Sequence, residues 1–510
     1  MDPETIHRRR WIILAIMSLS LVITLLNNVT VNVALPELSK ELGADNTELQ
    51  WIMDAYVIVF GGLLLVMGAI GDRFGRRHAL LAGLAIVGLV SAVTAQYATT
   101  SEQVIGARAM MGLGAALVMP ATLSVIVVVF PPEERGKAVG VWVGMAGVGA
   151  PIGLLVGGWA VENFDWRAVF WINPPIIALA MGLSVLLVPN SRDEAGSPMD
   201  PFGGALSVGA LGFILFAIIE GPSLGWTSAE VLSLGAIGVI LAFLFVWWER
   251  RVEYPMLPID FFRNRGFSLG LIAISLAFFV LFSFMFTQML HFQLVRERSA
   301  LEAALRFLPL PLGLMPSAAN SDRLCEKFGS NSVVSLGLAI IGMAMLIFTT
   351  VGVGTPYWTL AVIFFLIGVG MGLTMAPSTT MVMDSIPHDK AGVGSATNDA
   401  SREVGGAFGI AIVGSAVNEI YQSEMVVPAG LEAQSALVSE SFPAAIRIGA
   451  ELMSQGNAIG IELIENAQYA FVEGMTGAAA ISALVAFVNS ILVMLYMPSG
   501  VNPEREDAGA

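Results

Sequence analysis

Charged side chains occur inside apolar stretches that are long enough to cross a bilayer. Arg108 is the only charged residue between Glu102 and Glu133, and the stretch around it is rich in glycine and alanine. A guanidinium group stays protonated, so at the centre of a span it costs at least about 2.5 to 3.5 kcal/mol unless it meets water or a carboxylate. Asp54 repeats the anomaly in another apolar stretch. Such residues predict that the chain moves something polar or charged.

The segment around Asp54 places other polar groups near the carboxyl group. Gln50 and Asp54 are four residues apart and share a helix face, and Tyr56 follows. Asp54 and Arg108 each lie about a turn and a half from the start of their stretch, so we expect them at similar depth and able to interact. A carboxyl group balanced between desolvation and a nearby cation can exchange protons. The alternatives are an acid held in the outer interface and an arginine that only bonds two helices together.

A third apolar stretch contains three charged residues close together. Asp399 and Glu403 are four residues apart and form one stripe of a helix, and Asn398 and Arg402 form the adjacent stripe. Arg402 is three residues from Asp399, close enough to pair with it. Glu403 is predicted to be a second proton or cation site. The alternative is a static network near the cytoplasmic end of the helix.

The first apolar stretch contains asparagines instead of charged residues. Asn28 and Asn32 share a helix face, and Asn27 lies beside them. Their amides can hydrogen-bond either a substrate or a neighbouring helix. Neither interpretation is favoured by the sequence.

Membrane-spanning helices must position these side chains. The chain has 56% hydrophobic residues, 13% charged residues and a mean hydropathy of +0.76, which excludes a soluble domain. An all-α polytopic membrane protein is predicted, with the first run retained because it lacks a small-residue cleavage site. Fourteen apolar runs have about the length of a span: 11–35, 49–70, 79–97, 103–129, 137–160, 168–188, 203–219, 231–248, 267–288, 302–319, 333–353, 357–383, 392–417 and 470–497.

The distribution of basic residues predicts that both termini are cytoplasmic. Most arginines and lysines fall in the N-terminal segment and in the loops on its side of the membrane, as the positive-inside rule requires. The net charge of −15 owes much to a long outer segment, 418–470, in which glutamates outnumber a single Arg447. That segment is interpreted as a solvated amphipathic loop, or alternatively as a surface that concentrates cations at the mouth of a pathway.

Several classes of function are excluded by the composition. The pI of about 4.8 argues against a nucleic-acid partner. One cysteine and four scattered histidines give no metal-ligand spacing, and no cofactor is expected. The chain lacks a G-x-x-x-x-G-K-[ST] motif, so ATP is not the expected energy source. It also lacks the residue clusters typical of an enzyme, and the expected partners are a small-molecule substrate, protons and the lipid bilayer.

A loop between the second and third runs is repeated later in the chain. Asp322 to Gly329 form a degenerate copy, in which Glu326 matches Asp72 and the Phe-Gly pair is kept. Repeats on one face indicate two bundles related by an axis along the membrane normal. The charged residues of the first copy can form ion pairs that hold the bundles together. The residues of this copy expected to act in conformational gating are Gly68, Gly71, Asp72, Arg73, Gly75 and Arg76.

The fifth run contains a strip without side chains. Gly149, Gly153 and Gly157 repeat every four residues, so another helix can pack closely against this face. Pro151 lies between two of these glycines and predicts a kink.

Four segments together resemble a known family. The loop at 68–77 resembles the signature of the major facilitator superfamily between its second and third spans. The segment 104–116 is similar to the fourth-span signature, 140–158 to the fifth-span antiporter signature, and 26–36 to the first-span signature of the fourteen-span group. The chain is therefore identified as resembling the fourteen-span drug:proton antiporter family.

The resemblance implies a fold and a function. The implied fold is the major facilitator fold, with an N-terminal six-helix bundle (1–190), two inserted spans (191–262) and a C-terminal six-helix bundle (263–510). The implied function is export of small, lipophilic or cationic compounds in exchange for protons, by a monomer in the inner or plasma membrane. The alternative is a proton-coupled symporter or facilitator for a nutrient or metabolite, since a fold does not fix a function.

The chain departs from the family pattern at two places. Asn27 stands where related exporters commonly have an aspartate, so one titratable group of the relatives is absent. Leu154 stands where a proline usually follows the glycine at Gly153, so the position of the kink is open. In the antiporters that the chain resembles, the fifth-span strip helps seal the cavity in one state, and the ion pairs expected at the 68–77 loop must break when the protein opens inward.

Overall fold

The computed structural model describes residues 3–44, 46–192, 200–431 and 434–499. These residues form α-helices joined by short loops and 3₁₀ or π turns, and none of them forms a strand. The first seven helices are α1 (Pro3–Leu42), α2 (Asn46–Phe74), α3 (Arg76–Tyr97), α4 (Ser101–Val129), α5 (Pro132–Asn163), α6 (Ala168–Trp171) and α7 (Asn173–Leu187). A helical hairpin follows, made of α8 (Pro201–Leu224) and α9 (Ala229–Glu249). The remaining helices are α10 (Arg265–Leu290), α11 (Ala300–Arg306), α12 (Pro309–Phe328), α13 (Ser330–Phe348), α14 (Tyr357–Asp384), α15 (Ala391–Glu424), α16 (Ser435–Glu440), α17 (Phe442–Ser454) and α18 (Ile459–Tyr496).

Thirteen stretches among the described residues are long and apolar enough to cross a membrane. The sequence predicts fourteen, and the difference lies at the tenth run, 302–319. The structure divides that run between α11 and α12, and α12 continues into the charged repeat at its C-terminal end. The polar residues of this repeat lower the hydropathy of α12, although the helix packs inside the molecule against α14 and α5. The count of fourteen stays a prediction.

Side-chain caps fix where several helices begin. Thr100 accepts a hydrogen bond from the Gln103 amide at the start of α4, and Asp200 does the same for Gly203 at the start of α8. Ser228 caps α9 by accepting from the Val231 amide. Such caps satisfy amide groups that have no partner inside the helix. They separate long apolar helices at defined points along the chain.

The helices pack as two halves with an inserted hairpin. In the first half, α4 packs against α2 and α3, and α5 packs against α1. In the second half, α14 packs against α12 and α13, and α15 packs against α10. The halves meet where α2 and α4 contact α15, and where α5 contacts α12 and α14. Of the hairpin, α8 contacts both α2 and α15.

The internal repeat is visible in the backbone. Gly75 between α2 and α3 has φ 109°, and Gly329 between α12 and α13 has φ 85°; both are left-handed conformations that favour glycine. One helix later, Gly83 lies against the Gly114 carbonyl, and Gly337 lies against the Gly370 carbonyl. A Cβ atom on Gly83 or Gly337 would lie 2.5 or 2.7 Å from the facing oxygen. The two halves therefore repeat both a turn and a close helix crossing.

Candidate functional site

Arg108 ties three helices together inside the first half. The side chain is 1% exposed. Its Nε donates to the Ile52 carbonyl of α2 at 3.0 Å, and its NH1 donates to the Asn27 carbonyl of α1 at 3.0 Å. The guanidinium also lies over the ring of Tyr56, 4.4 Å from its centroid, where the negative face of the ring attracts the cation. Arg108 is thus held by main-chain oxygens and an aromatic face.

Asp54 does not share these contacts. Arg108 bonds carbonyl oxygens in this structure, and its buried NH2 has no hydrogen-bond partner among the described residues. Asp54 is half-buried, and its Oδ2 likewise has no partner there. Its polar neighbours are Gln50 on its own helix and Glu220 on α8. The expected direct interaction of Asp54 with Arg108 is therefore not the arrangement seen here.

Glu220 is a residue that sequence reasoning missed. It is 6% exposed and accepts a hydrogen bond from Gln50 Nε2 at 3.3 Å. The apolar run assigned to this helix stops at residue 219, one position before Glu220. In the sequence, Glu220 is an acid that directly follows an apolar run. Such acids are common where a membrane span ends, so nothing in the sequence singled it out.

Tyr56 lies between charged groups of the two halves. Its hydroxyl donates to the Thr24 carbonyl at 3.2 Å, and the side chain is 1% exposed. Arg108 lies over its ring, and Glu403 of α15 is close enough to interact with it electrostatically. The polar groups of α2 and α4 therefore approach those of α15 around this ring.

The charged residues of α15 form a compact buried cluster. Arg402 NH1 lies 3.4 Å from Asp399 Oδ1, and both side chains are buried. Arg402 also donates to Thr379 Oγ1 at 3.3 Å and lies over the rings of Trp142 and Phe278, at 5.1 and 5.6 Å. Residues from α5, α10 and α14 therefore enclose this guanidinium, and the sequence indicated none of them.

Glu403 lies next to helices of the first half and of the hairpin. It is half-buried. A Cβ atom on Gly61 of α2 would lie 2.5 Å from Leu215 Cδ1 of α8 and 4.0 Å from the Glu403 Cβ. Glu403 thus lies where α2, α8 and α15 meet. It is also close enough to Asp399 and Arg402 to interact with both electrostatically.

The three asparagines of α1 have different surroundings. Asn27 is 2% exposed, and its Oδ1 accepts from Asn173 Nδ2 of α7 at 3.3 Å. Asn173 also reaches Ser91 Oγ of α3 at 3.3 Å. Asn28 is half-buried and Asn32 is exposed. Of the two interpretations of these amides, Asn27 shows the bond to a neighbouring helix.

We expect Asn27→Asp to lower the yield of folded protein. The carboxylate would replace a buried amide whose Nδ2 has no acceptor among the described residues, and a charge at mid-membrane costs about 2.5 to 3.5 kcal/mol. Asn32→Asp, on the exposed side of the same helix, is the matched control. Detergent-extracted yield and thermal unfolding measure the difference. Normal yield together with an altered pH profile of transport would contradict the expectation and show that residue 27 reaches water.

Asp72 joins the two halves where the end of α2 meets the start of α15. It is 4% exposed and accepts from the amides of Gly392 and Val393, at 2.8 and 3.0 Å. These amides lie in the first turn of α15, where a carboxylate is stabilised by the free N–H groups of the helix. Arg76 donates to Asp72 Oδ1 at 2.9 and 2.7 Å, and to the His388 carbonyl at 2.6 Å. We call this set of contacts the Asp72 seal.

Glycines let the Asp72 seal close. A Cβ atom on Gly68 would lie 2.6 Å from the Gly392 carbonyl, so α2 and α15 touch backbone to backbone there. Gly75 supplies the left-handed turn before Arg76. Gly71 is less constrained, since a Cβ atom would lie 3.5 Å from Ala79 Cβ. Arg73 instead lines a cavity of ≈ 320 Å³ beside the seal.

A related junction lies on the other side of the molecule. Arg135 of α5 pairs with Asp384 of α14. Gly136 lies against the Asp322 carboxyl of α12. In the second copy of the repeat, the acid that meets the opposite half is therefore Asp322, one turn before the Glu326 that matches Asp72 in sequence.

The glycine strip of α5 packs against α1. Cβ atoms on Gly149, Gly153 and Gly157 would lie 3.0 to 3.2 Å from atoms of α1. Their neighbours are Leu25, Leu26 and Thr30 in order, and Pro151 lies inside the helix between the first two glycines. The strip therefore brings α5 close to the helix that contains Asn27.

Comparison with known proteins identifies the family. Residues 17–410 match the Major Facilitator Superfamily. The chain belongs to the major facilitator superfamily. The human organic anion transporter MFSD10, a solved structure, superposes with a TM-score of 0.58 over 95% of this chain and 100% of that chain, at 14% identity. This likeness shows the fold alone, and it agrees with the predicted architecture.

Curated members of the superfamily are similar along most of the chain. The multidrug efflux pump LfrA of Mycolicibacterium smegmatis is 31% identical over 95% of this chain and 96% of its own length. The methylenomycin A resistance protein of Streptomyces coelicolor is 33% identical, covering 77% and 82%. The methyl viologen resistance protein SmvA of Salmonella typhimurium is 30% identical, covering 91% and 93%. The protein is thus a multi-pass membrane transporter of the major facilitator superfamily and not an enzyme.

Proposed function

We propose that this superfamily member exports small, lipophilic or cationic compounds in exchange for protons. The observation that carries the proposal is that buried and half-buried charged groups of both halves lie on helices that contact one another, α2 and α4 in the first half and α15 in the second. Arg108 and Asp54 come from the first half, and Asp399, Arg402 and Glu403 come from the second. A proton carrier must bind on one side and release on the other, and carboxyl groups at the moving interface meet that need.

The relatives support export of foreign compounds. Their names describe multidrug efflux and resistance to methylenomycin A and methyl viologen. Methyl viologen is an organic dication, which a carboxylate inside a cavity attracts. Asp54 and Glu403 are the candidates for proton coupling, with Arg108, Asp399 and Arg402 shaping their surroundings. We place the protein in the plasma membrane as a monomer with both termini in the cytoplasm.

A transport assay tests the proposal directly. Purified protein is reconstituted into liposomes, and accumulation of methyl viologen is measured with an imposed pH gradient. The expected result is that methyl viologen accumulates in the direction opposite to proton flow and that a protonophore abolishes this accumulation. Accumulation in the same direction as proton flow would indicate a symporter. Transport that ignores the gradient would indicate a facilitator.

We propose that the Asp72 seal closes the cytoplasmic end of the pathway. Replacing Asp72 by alanine should open it, because removing one partner of a buried ion pair costs about 3 to 5 kcal/mol and leaves Arg76 and the α15 amides without their acceptor. Cys325 is the only cysteine, so Cys325→Ser provides a background in which Ala69→Cys, beside the seal, is the single thiol. We expect faster labelling of that thiol by an impermeant maleimide from the cytoplasmic side.

Asp389→Ala is the matched control for Asp72→Ala. Asp389 is an exposed acid next to the seal and offers only its main-chain carbonyl to Arg76. Its replacement should leave labelling unchanged. Equal labelling in both variants would show that Asp72 does not close the pathway.

A further inference from the structure

The inserted hairpin touches the region that contains Asp54. A Cβ atom on Gly62 of α2 would lie 3.6 Å from Gly212 Cα, so α2 and α8 approach closely. Phe216, one turn after Gly212 on α8, has its ring 5.9 Å from that of Trp51, which lies about three turns before Gly62 on α2. Because the two helices stay in contact up to this level, a side chain one turn further along α8 faces the outer part of α2.

Glu220 is that side chain. It is buried, and it accepts a hydrogen bond from Gln50 Nε2 at 3.3 Å. A carboxylate buried at the end of a membrane span costs free energy. An apolar residue would serve packing alone equally well at this position. The bond to Gln50 directs the carboxylate toward the polar groups of α2.

Gln50 connects Glu220 to Asp54. An amide nitrogen has two N–H groups; one is used for Glu220, and the second is left for the carboxyl group one turn along α2. Asp54 is close enough to interact with both Gln50 and Glu220, and its Oδ2 is buried without a hydrogen-bond partner among the described residues. Two acids and one amide, from two helices, therefore meet at one place.

We propose that Glu220 of the inserted helix forms the proton site together with Asp54 and takes part in proton coupling. Gln50 holds the two carboxyl groups beside each other, and neighbouring carboxylates disfavour a second negative charge. The two carboxyl groups and Gln50 therefore form one site that a transported proton can occupy. This inference rests on the proposed proton antiport and assigns the inserted hairpin a part in coupling, beyond covering the bundles.

Single substitutions in the liposome assay test the role of Glu220. Glu220→Gln keeps the shape and an acceptor for Gln50 but cannot titrate, and we expect loss of gradient-driven methyl viologen accumulation. Exchange of methyl viologen without a gradient should persist, since the substrate pathway is intact. Glu220→Asp keeps the carboxyl group and should recover part of the accumulation. Glu230→Gln, an exposed acid on the same hairpin, should behave as the wild type.

A double substitution separates a role through Asp54 from an independent one. If Glu220 acts with Asp54, the losses caused by Glu220→Asp and by Asp54→Glu, which both keep a carboxyl group and leave accumulation measurable, should not add up in the double variant, because the effects of coupled residues are not additive. Unchanged accumulation in Glu220→Gln, while Asp54→Asn is inactive, would overturn this inference and leave antiport in place. Equal loss of exchange and accumulation would also overturn it, since that is the result of a structural role. A wild type that ignores the gradient would overturn the proposed antiport first.

Discussion

Replacement of Asp54 by asparagine should abolish gradient-driven transport while membrane insertion and yield stay near the wild-type level. The amide has nearly the same shape as the carboxyl group but cannot bind and release a proton. Asp54 is half-buried and its Oδ2 has no hydrogen-bond partner among the described residues, so the substitution breaks few contacts. Accumulation of methyl viologen against an imposed pH gradient is the measurement. Exchange at equal concentrations, which needs no proton, should continue.

The control for Asp54→Asn is Glu102→Gln. Glu102 is an exposed acid in the first turn of α4; like Asp54 it lies near the N-terminal end of its helix, and it should tolerate the amide. Uphill transport by the Asp54→Asn protein at the wild-type rate would remove Asp54 from the mechanism. Coupling would then have to depend on Glu403 or on another acid of α15.

The helices and the family could be predicted from the sequence because both depend on local patterns. Apolar runs of about 20 residues become helices wherever their backbone must satisfy its own hydrogen bonds in a bilayer. The superfamily assignment, expected from four segments at fixed places along the chain, is confirmed by the match over 17–410. The tenth run was the difficult one, since the break between α11 and α12 divides it and the charged repeat follows it directly on α12.

The partners of the charged residues could not be predicted in the same way. Spacing along a helix gives the Asp399–Arg402 pair, because residues three apart are neighbours on one surface. It gives no information on which helix lies opposite. Arg108 was expected near an acid at the same depth, but the rotation of α2 presents the Ile52 carbonyl and the Tyr56 ring to it. The same rotation turns Asp54 toward α8 and Glu220.

The repeat shows a related limit. Alignment of the two copies pairs Asp72 with Glu326, and the glycine turns at Gly75 and Gly329 support that register. The acid that meets α5 is nevertheless Asp322. The carboxylate that contacts the opposite half lies one helical turn earlier in the second copy than in the first. Residues that are equivalent in the aligned sequences therefore need not make equivalent contacts.

Removal of the Arg108 guanidinium should have a large effect of a different kind. Arg108→Ala deletes two charged hydrogen bonds that join α4 to α1 and α2, each worth about 1.5 to 3 kcal/mol. We therefore expect transport to fall at least about tenfold, which corresponds to about 1.4 kcal/mol in the rate-limiting barrier, together with a lower unfolding temperature. Arg108→Lys should recover only part of both, because one ammonium group lacks the planar fork that reaches two carbonyls.

Comparing the loss of exchange with the loss of gradient-driven transport in Arg108→Ala distinguishes two roles of Arg108. If its task is to tune the proton affinity of a carboxyl group, as its charge alone suggests, only gradient-driven transport should fall in Arg108→Ala. The geometry favours the other result: both known acceptors of Arg108 are main-chain oxygens, so loss of the guanidinium should loosen the helices and reduce exchange as well. Arg263→Ala, in an exposed surface pair of little value, is the control. Wild-type activity in Arg108→Ala would show that neither the charge nor the link between helices is needed.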